Sequence, residues 1–467
     1  MTTEDRDAAA PATDPDTSLR AVFAGRRGRL LVALLLAEFA AAVQGIAYAT
    51  VLPLASRELD GSRLYGATLA AGTLVTVLAL AAGPGLTARL SPRATLLVAT
   101  AVYVVGVLLA ATAPAMGWLL AGSALRGLAG GLLVAFGLSA IGGLYDDALR
   151  PRVMGLFSLV WLLPSLVGPA LNGAIAAASD WRWAMAWPAA VVVVARVLMG
   201  RDVDLVPWQT GRRTVAVSAG LLVVAGLVLA TAASGSGTWG APLLAGGLLL
   251  AAAGSARVVS RATTGDRPRT RVLLCFTGLV VAFFAADGLV PLAVAEGLGR
   301  GVTATSVAIT AGLVAWSVAG ARPPRPGRRP DPATLGTALL CPALVAAALS
   351  QTGLLTGTWA LVLLVGAWGL AGLGMGLAYT RLSAQSFDAL PPERVAAVAT
   401  AVAFAETTAV AFGSLLGAGS WSLAVTLGAE ARPAIGGALA LTAVVAALTA
   451  AASRRRSGQP DGLTRAT

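Results

Sequence analysis

Lysine and histidine are absent from this chain, so all 34 of its positive side chains are arginine. Cysteine is almost absent as well. Cys275 and Cys341 stand far apart, in no metal-ligand spacing and no obvious disulfide pair. With no histidine and no cysteine cluster, zinc, haem and iron–sulfur chemistry have nothing to hold them, and no cofactor is expected. The lack of histidine also means that any proton handled near neutral pH must travel on an Asp or Glu whose pKa is raised. Charge is scarce overall: 12% of residues are charged and 57% are hydrophobic, against about 25% charged in an ordinary soluble domain. That balance, with a mean hydropathy of +0.79, excludes a soluble fold. No nucleophile–base set or phosphate loop is visible, so the chain does not read as an enzyme.

Long apolar runs are what the sequence has. Taking each run of about 20 residues as a membrane crossing gives fourteen, near 30–53, 65–87, 94–114, 117–143, 153–178, 183–200, 214–235, 238–255, 272–295, 303–321, 334–352, 356–380, 395–418 and 434–452. The N-terminus, the even-numbered connections and the C-terminal tail carry 28 arginines, counting Arg196, which lies one turn inside the sixth run. The odd-numbered connections carry five: Arg57, Arg63, Arg182, Arg300 and Arg432. One, Arg126, is inside a crossing. The positive-inside rule turns this asymmetry into a multi-pass protein with both termini cytoplasmic. The net charge of +12 is spread over short loops beside apolar helices, where it meets anionic lipid, and nucleic acid is not an expected partner.

The expected fold class is an all-α integral membrane protein. Residues 1–28 read as a polar cytoplasmic tail rather than a cleavable signal, and 453–467 as a second tail. A six-helix block spans 29–200; a linker, 201–271, holds two further crossings, 214–235 and 238–255; a second six-helix block spans 272–452. The blocks look like a parallel repeat, with a basic, proline-marked loop after the second crossing of each. Glycines crowd the fourth crossing (Gly127, Gly130, Gly131, Gly137) and the twelfth (Gly369, Gly372, Gly374, Gly376), as close helix packing requires. Heavy use of Ala, Gly and Arg without Lys points to a GC-rich, bacterial source and hence to the bacterial cytoplasmic membrane.

Several short motifs occur in a telling order. Gln44 to Pro53 ends in Val-Leu-Pro and leads into Ala55-Ser-Arg-Glu-Leu-Asp60. Arg126-Gly-Leu-Ala-Gly130-Gly131 follows in the fourth crossing, then Leu149-Arg150-Pro-Arg152-Val-Met-Gly155, Gly168-Pro169 with Gly173, and Asp180-Trp-Arg-Trp183. In this order they resemble the major facilitator superfamily, and within it the fourteen-helix drug:proton antiporter branch. The resemblance covers residues 30–452. It implies two six-helix bundles plus a central two-helix hairpin, alternating access, and proton-coupled export of small molecules. It also implies proton coupling at Arg126 and conformational roles for Arg89, Arg93, Gly130, Gly168, Pro169 and Gly173, with Gly168-Pro169 limiting leakage. The chain departs from the pattern between crossings two and three, where Arg89 and Arg93 remain but Ala88 replaces an Asp that latches the halves in the family. Gln44 also stands where an Asp is common, and crossing five has Pro164 and Asn172 where glycines are common.

An ionised side chain near the bilayer centre costs several kcal/mol and marks function by default. Four candidates lie within crossings: Glu38, Arg126, Asp287 and Glu406. At 1.5 Å per residue Glu38, Arg126 and Glu406 sit about 12, 13 and 16 Å from the ends of their crossings, near the midplane of a core about 30 Å thick; Asp287, at about 22 Å, belongs to the outer half. Glu38 and Glu406 are the leading proton or cation sites, Asp287 the third; the structural alternative is an ion pair such as Glu38 with Arg126. Trp161, mid-helix, is the aromatic candidate for stacking on a flat cation, with Trp187, Trp316, Trp359 and Trp368 behind it. Trp118, Trp181, Trp183 and Trp421 read as interfacial anchors. Gln44, Asn172 and Gln385 serve helix–helix hydrogen bonds or touch substrate, and Arg196 snorkels.

The leading reading is a proton-driven exporter of lipophilic, cationic small molecules, with substrate, protons and membrane lipid as partners. A dedicated carrier of one metabolite on the same fold, and a non-transporting receptor or scaffold, are the alternatives.

Overall fold

The computed structural model of the chain describes residues 19–87, 90–145, 149, 153, 156, 160, 162–206, 217–233, 236–263, 265–321, 331–388 and 392–457. The described residues are helical with short connections. The first set is α1 (Gly25–Glu58), α2 (Tyr65–Thr87), α3 (Pro92–Ala111), α4 (Met116–Leu144), α5 (Leu162–Ala178) and α6 (Trp181–Arg201). A hairpin follows, α7 (Val217–Ala232) and α8 (Gly240–Ala262). The second set is α9 (Arg267–Asp287), α10 (Val302–Gly320), α11 (Pro332–Leu349), α12 (Gly357–Gln385), α13 (Pro392–Ser414) and α14 (Ala431–Ser457). Eleven spans among the described residues are long and apolar enough to cross a membrane, and two shorter apolar helices, Leu166–Ala178 and Gly220–Ala232, accompany them.

Local chemistry sets where helices begin. Ser91 caps α3, its hydroxyl accepting from the Ala94 amide at 3.1 Å, and Pro92 takes the first-turn position that needs no N–H. Asp180 and Asp266 cap α6 and α9 in the same way, accepting from the amides of Arg182 and Arg269. Gly428, at φ +93°, turns the chain between the end of the thirteenth apolar run and α14, a conformation that a side chain resists.

Lipid offers no hydrophobic drive between helices, so their association rests on close packing through small residues. Matching glycine pairs supply it in both sets. α2 meets α4 at Gly72 and Gly127, where a Cβ on Gly127 would lie 1.9 Å from the Gly72 carbonyl oxygen. α10 meets α12 at Gly312 and Gly372, where a Cβ on Gly372 would lie 2.0 Å from the Gly312 carbonyl. α3 meets α4 at Gly106 and Gly122, and α11 meets α12 at Gly336 and Gly374. The second and third helices of each set thus dock on the fourth by the same device.

The sets touch along α2 with α13 and along α5 with α10. Their shared core takes its first-set residues from the arginine-poor end, where Tyr48, Val51, Leu52, Tyr65 and Trp181 join Leu289 and Trp421 in a buried cluster that continues through Phe283 and Phe276 along α9. The arginine-rich end of the first set has its own core, including Leu30, Leu34, Phe136 and Met199. The hairpin lies against the seam between the sets, α7 on α2 and α8 on α13.

Candidate functional site

In the first set, the polar interior is built around Tyr103 on α3. Its hydroxyl donates to Gln44 Oε1 at 2.8 Å, and Gln44 Nε2 donates to the Met185 carbonyl at 2.9 Å. Both ends of that amide are therefore spent tying α1 to α3 and α6. One turn along α1, the Tyr48 ring lies under the Arg126 guanidinium, 3.6 Å from ring centroid to Cζ. Arg126 Nη2 donates to Ser123 Oγ at 3.1 Å, while its Nε is buried without a partner. Arg126 does not pair with Glu38. Glu38 is half-buried on α1, on the stripe that also carries exposed Ala41 and Gly45.

Arg196 meets the snorkelling expectation only in part, being half-buried. Its Nε and Nη1 are buried with no partner, and it stands within electrostatic range of Tyr103, as does Arg126. The side chain turns into the bundle because α6 packs that face against α1 and α3. One turn of helix also places Arg196 too far inside for its stem to be read from sequence as buried or free.

In the second set, Glu406 on α13 accepts a hydrogen bond from the Tyr379 hydroxyl at 2.6 Å. Tyr379 opens a continuous aromatic cluster. It packs on Phe276 (centroids 5.2 Å) and edge-on to Trp316 (5.8 Å). Trp316 meets Phe283 at 5.3 Å and Phe284 at 6.2 Å, and Phe283 stacks on Trp368 at 4.7 Å and 24°. Trp368 is wedged over Gly312, where any Cβ would collide with its indole nitrogen. Four helices (α9, α10, α12 and α13) thus bring a carboxylate, a phenol and an aromatic wall together. Among the sequence candidates, Trp316 and Trp368 fall in this wall. Tyr379, Phe276 and Phe283 were missed, because nothing in a lone aromatic on an apolar helix tells which face it occupies.

Asp287 does not join Glu406. It ends α9 toward the arginine-poor end, beside Gly288, whose carbonyl accepts from Tyr65 Oη at 3.3 Å. This is where the two sets lock. Arg57 at the end of α1 is hydrogen-bonded to Glu296 and to the Ala295 carbonyl, in a π-helical turn (Ala293–Gly297) that follows α9. Gly66 at the start of α2 sits against a second π turn, Leu415–Gly419, after α13. A Cβ on Gly173 of α5 would lie 2.3 Å from Ser306 Oγ on α10.

Trp181 and Trp421 are not interfacial anchors: both are buried, Trp181 donating to Glu58 Oε2 at 2.6 Å and Trp421 lying edge-on to Tyr65 at 5.4 Å. Their place at helix ends suits an interface equally well; contact with the other helices decides it. Trp118, Trp183 and Trp359 are exposed. Trp187 donates to Asn172 Oδ1 at 2.9 Å, joining α6 to α5. Pro169 lies inside α5, and Gly168 faces Ile46 of α1. Arg93 is exposed at the start of α3, and Gly130 has open space before it, with Thr76 Oγ1 3.9 Å from where a Cβ would stand. Trp161 and Arg89 lie outside the described residues.

Comparison with known proteins gives a consistent picture. The family profile described as Major Facilitator Superfamily matches residues 34–418. A protein of Mycobacterium tuberculosis described as a "probable multidrug-efflux transporter" is 35% identical over 144 residues, 29% of this chain and 29% of that protein. A multidrug transporter protein of Bacillus subtilis is 26% identical over 189 residues, 38% of this chain and 34% of its own length. The chain thus aligns with about a third of the length of these relatives. Among solved structures, a POT family transporter in complex with a thioalcohol-conjugated peptide shares the fold, with a TM-score of 0.66 at 14% identity, over 91% of this chain and 96% of that one. A bacterial homolog of the human lysosomal transporter Spinster, in an inward-facing, unoccupied conformation, gives 0.60 at 12% identity, over 92% and 97%.

Proposed function

Because the chain belongs to the Major Facilitator Superfamily, we propose that it is a proton-coupled secondary transporter that exports lipophilic, cationic small molecules by alternating access. The arrangement we favour has fourteen crossings, six in 29–200, two in 214–255 and six in 272–452, with both termini cytoplasmic. The arginine asymmetry supports that orientation. On this reading the arginine-poor end is external, and the Arg57–Glu296 contact and the docking of α2 on α13 make the conformer closed outside. Export is favoured over import by the efflux functions in the names of the bacterial relatives.

The observation that carries the reading is the carboxylate of Glu406 held against Tyr379 at the edge of an aromatic wall. A flat cation gains from the ring faces and from the carboxylate together. A proton gains only from the carboxylate, so the two compete for one site. Arg126, in the other set, has its charge on an aromatic ring instead of on an acid. It therefore keeps a guanidinium that can approach or leave a carboxylate as the sets rock. Glu38 and Glu406 are assigned as proton carriers, Arg126 as their coupling partner and Asp287 as an external-side acid.

Expression in an efflux-deficient bacterium, with a panel of dyes and antibiotics, tests this. Resistance should appear for lipophilic cations, vanish when the proton gradient is collapsed, and be lost in at least one of Glu38→Gln, Arg126→Ala and Glu406→Gln. Full activity in all three variants would sink the site assignment.

A further inference from the structure

We propose that Arg126, Arg196 and Tyr48 form a binding site for an anionic group inside the first helix set. Among the described residues two guanidinium groups, those of Arg126 and Arg196, lie inside this bundle, and neither pairs with a described acid. Arg126 has one hydrogen bond, to a serine, and Arg196 has none; Arg126 Nε, Arg196 Nε and Arg196 Nη1 are sealed from solvent without partners. Tyr48, only 7% exposed, adds a fourth unpartnered donor, its hydroxyl, beneath Arg126. Packing brings the three to one place: Tyr103 shares a buried cluster with Ala129, one turn from Arg126, and Val192, one turn from Arg196, and is itself pinned to Gln44, one turn from Tyr48.

A buried cation without an anion is costly, and two close together repel as well. Arginines stay in such a place when something negative visits. The described polar groups here are the guanidinium forks, the Tyr48 hydroxyl, the Ser123 hydroxyl that already accepts from Arg126, and the Tyr103 phenol that already donates to Gln44. That chemistry suits a carboxylate or another oxyanion of similar size, gripped by charge-assisted hydrogen bonds. The anion is either a free small ion or the acidic end of the cargo. In the second case, which rests on the export reading, the substrates include zwitterions whose basic end lies against Glu406 and the aromatic wall.

The test is equilibrium binding to the purified full-length protein in detergent at constant ionic strength, with no gradient. Benzoate is the probe, chloride and formate are small-anion controls, and benzamide is the neutral isostere. Thermal unfolding and tryptophan fluorescence are the readouts. Benzoate should raise the unfolding midpoint saturably, and benzamide should not. Arg196→Gln should weaken binding by at least tenfold and Tyr48→Phe by about tenfold, the loss of one hydrogen bond to a charged group; Arg257→Gln, on an exposed face of α8, should leave it unchanged. Equal saturation by formate or chloride assigns a free ion, and preference for benzoate assigns the acidic end of a cargo. If Arg196→Gln does not fold, Tyr48→Phe decides. The proposal is overturned if no anion binds saturably, or if Tyr48→Phe binds as tightly as the unaltered protein. Because binding is read without transport, a protein that exports cations yet binds no anion overturns this inference alone.

Discussion

Arg126 and Arg196 show what a single residue's environment decides. Both arginines lie one turn from residues packed on Tyr103, yet only Arg126 stood out along the sequence, because it falls mid-crossing. Arg196, one turn from a helix end, has the stem length to reach water, and only the packing of α6 shows that its Nε and Nη1 are buried. Glu406 stood out as an acid within an apolar run; its Tyr379 partner did not, since 27 residues separate them. The aromatic wall gives a stability prediction at this scale. Trp368 is 1% exposed and stacked on Phe283, so Trp368→Ala should cost about 3–5 kcal/mol, seen as a lower unfolding midpoint in detergent. Tyr379→Phe keeps the ring and removes the hydrogen bond to Glu406. It should leave the unfolding midpoint within about 1.5 kcal/mol of the original while altering the pH profile of efflux.

Among the helices, glycine enrichment in the fourth and twelfth apolar runs was visible from the start, but which glycines make contact was not. Spacing alone marks Gly127, Gly130 and Gly131 equally. The structure distinguishes them, because only one face of α4 meets α2: Gly127 and Gly131 are against Gly72 and Ala79, and Gly130 is open. Gly127→Val should therefore overpack the pair and destabilise by about 1–3 kcal/mol or more, whereas Gly130→Ala should unfold at nearly the original temperature. The end of α6 carries a pH-dependent tie to α1. Burial raises the Asp202 pKa, but hydrogen bonds from Arg26 and Arg29 outweigh it and hold the carboxyl below its ordinary value. Its contribution is thus complete above the unfolded-state pKa and lost as pH falls through the lower folded one. Both arginines are well exposed, so solvent screening keeps the tie weak. Asp202→Asn should lower the midpoint at pH 7, and the gap to the original protein should close below about pH 4.

At the scale of the whole molecule, the membrane class was written in the apolar runs. The conformer was not, because it depends on contacts between residues more than 200 apart, such as Arg57 with Glu296 and Gly66 with Gly419. Two π turns, Ala293–Gly297 and Leu415–Gly419, sit at these contacts; such turns gather at functional places in helices. If the Arg57–Glu296 pair holds the arginine-poor end shut, Glu296→Gln should lengthen the spin-label distance between positions 63 and 303, both exposed there. An unchanged distance distribution would assign closure to the contact of Gly66 with the Leu415–Gly419 turn alone.

The central claim is exchange of a proton for a lipophilic cation at Glu406. Its most direct measurement is transport by the purified protein in proteoliposomes carrying an imposed pH gradient, with a fluorescent lipophilic cation inside or outside. The account predicts uphill movement of the cation opposite to the proton flux, with lumenal pH changing in step. It predicts that Glu406→Gln exchanges cation for cation but no longer responds to the gradient. Cation movement indifferent to the pH gradient, or a Glu406→Gln protein that still concentrates the cation, would contradict it.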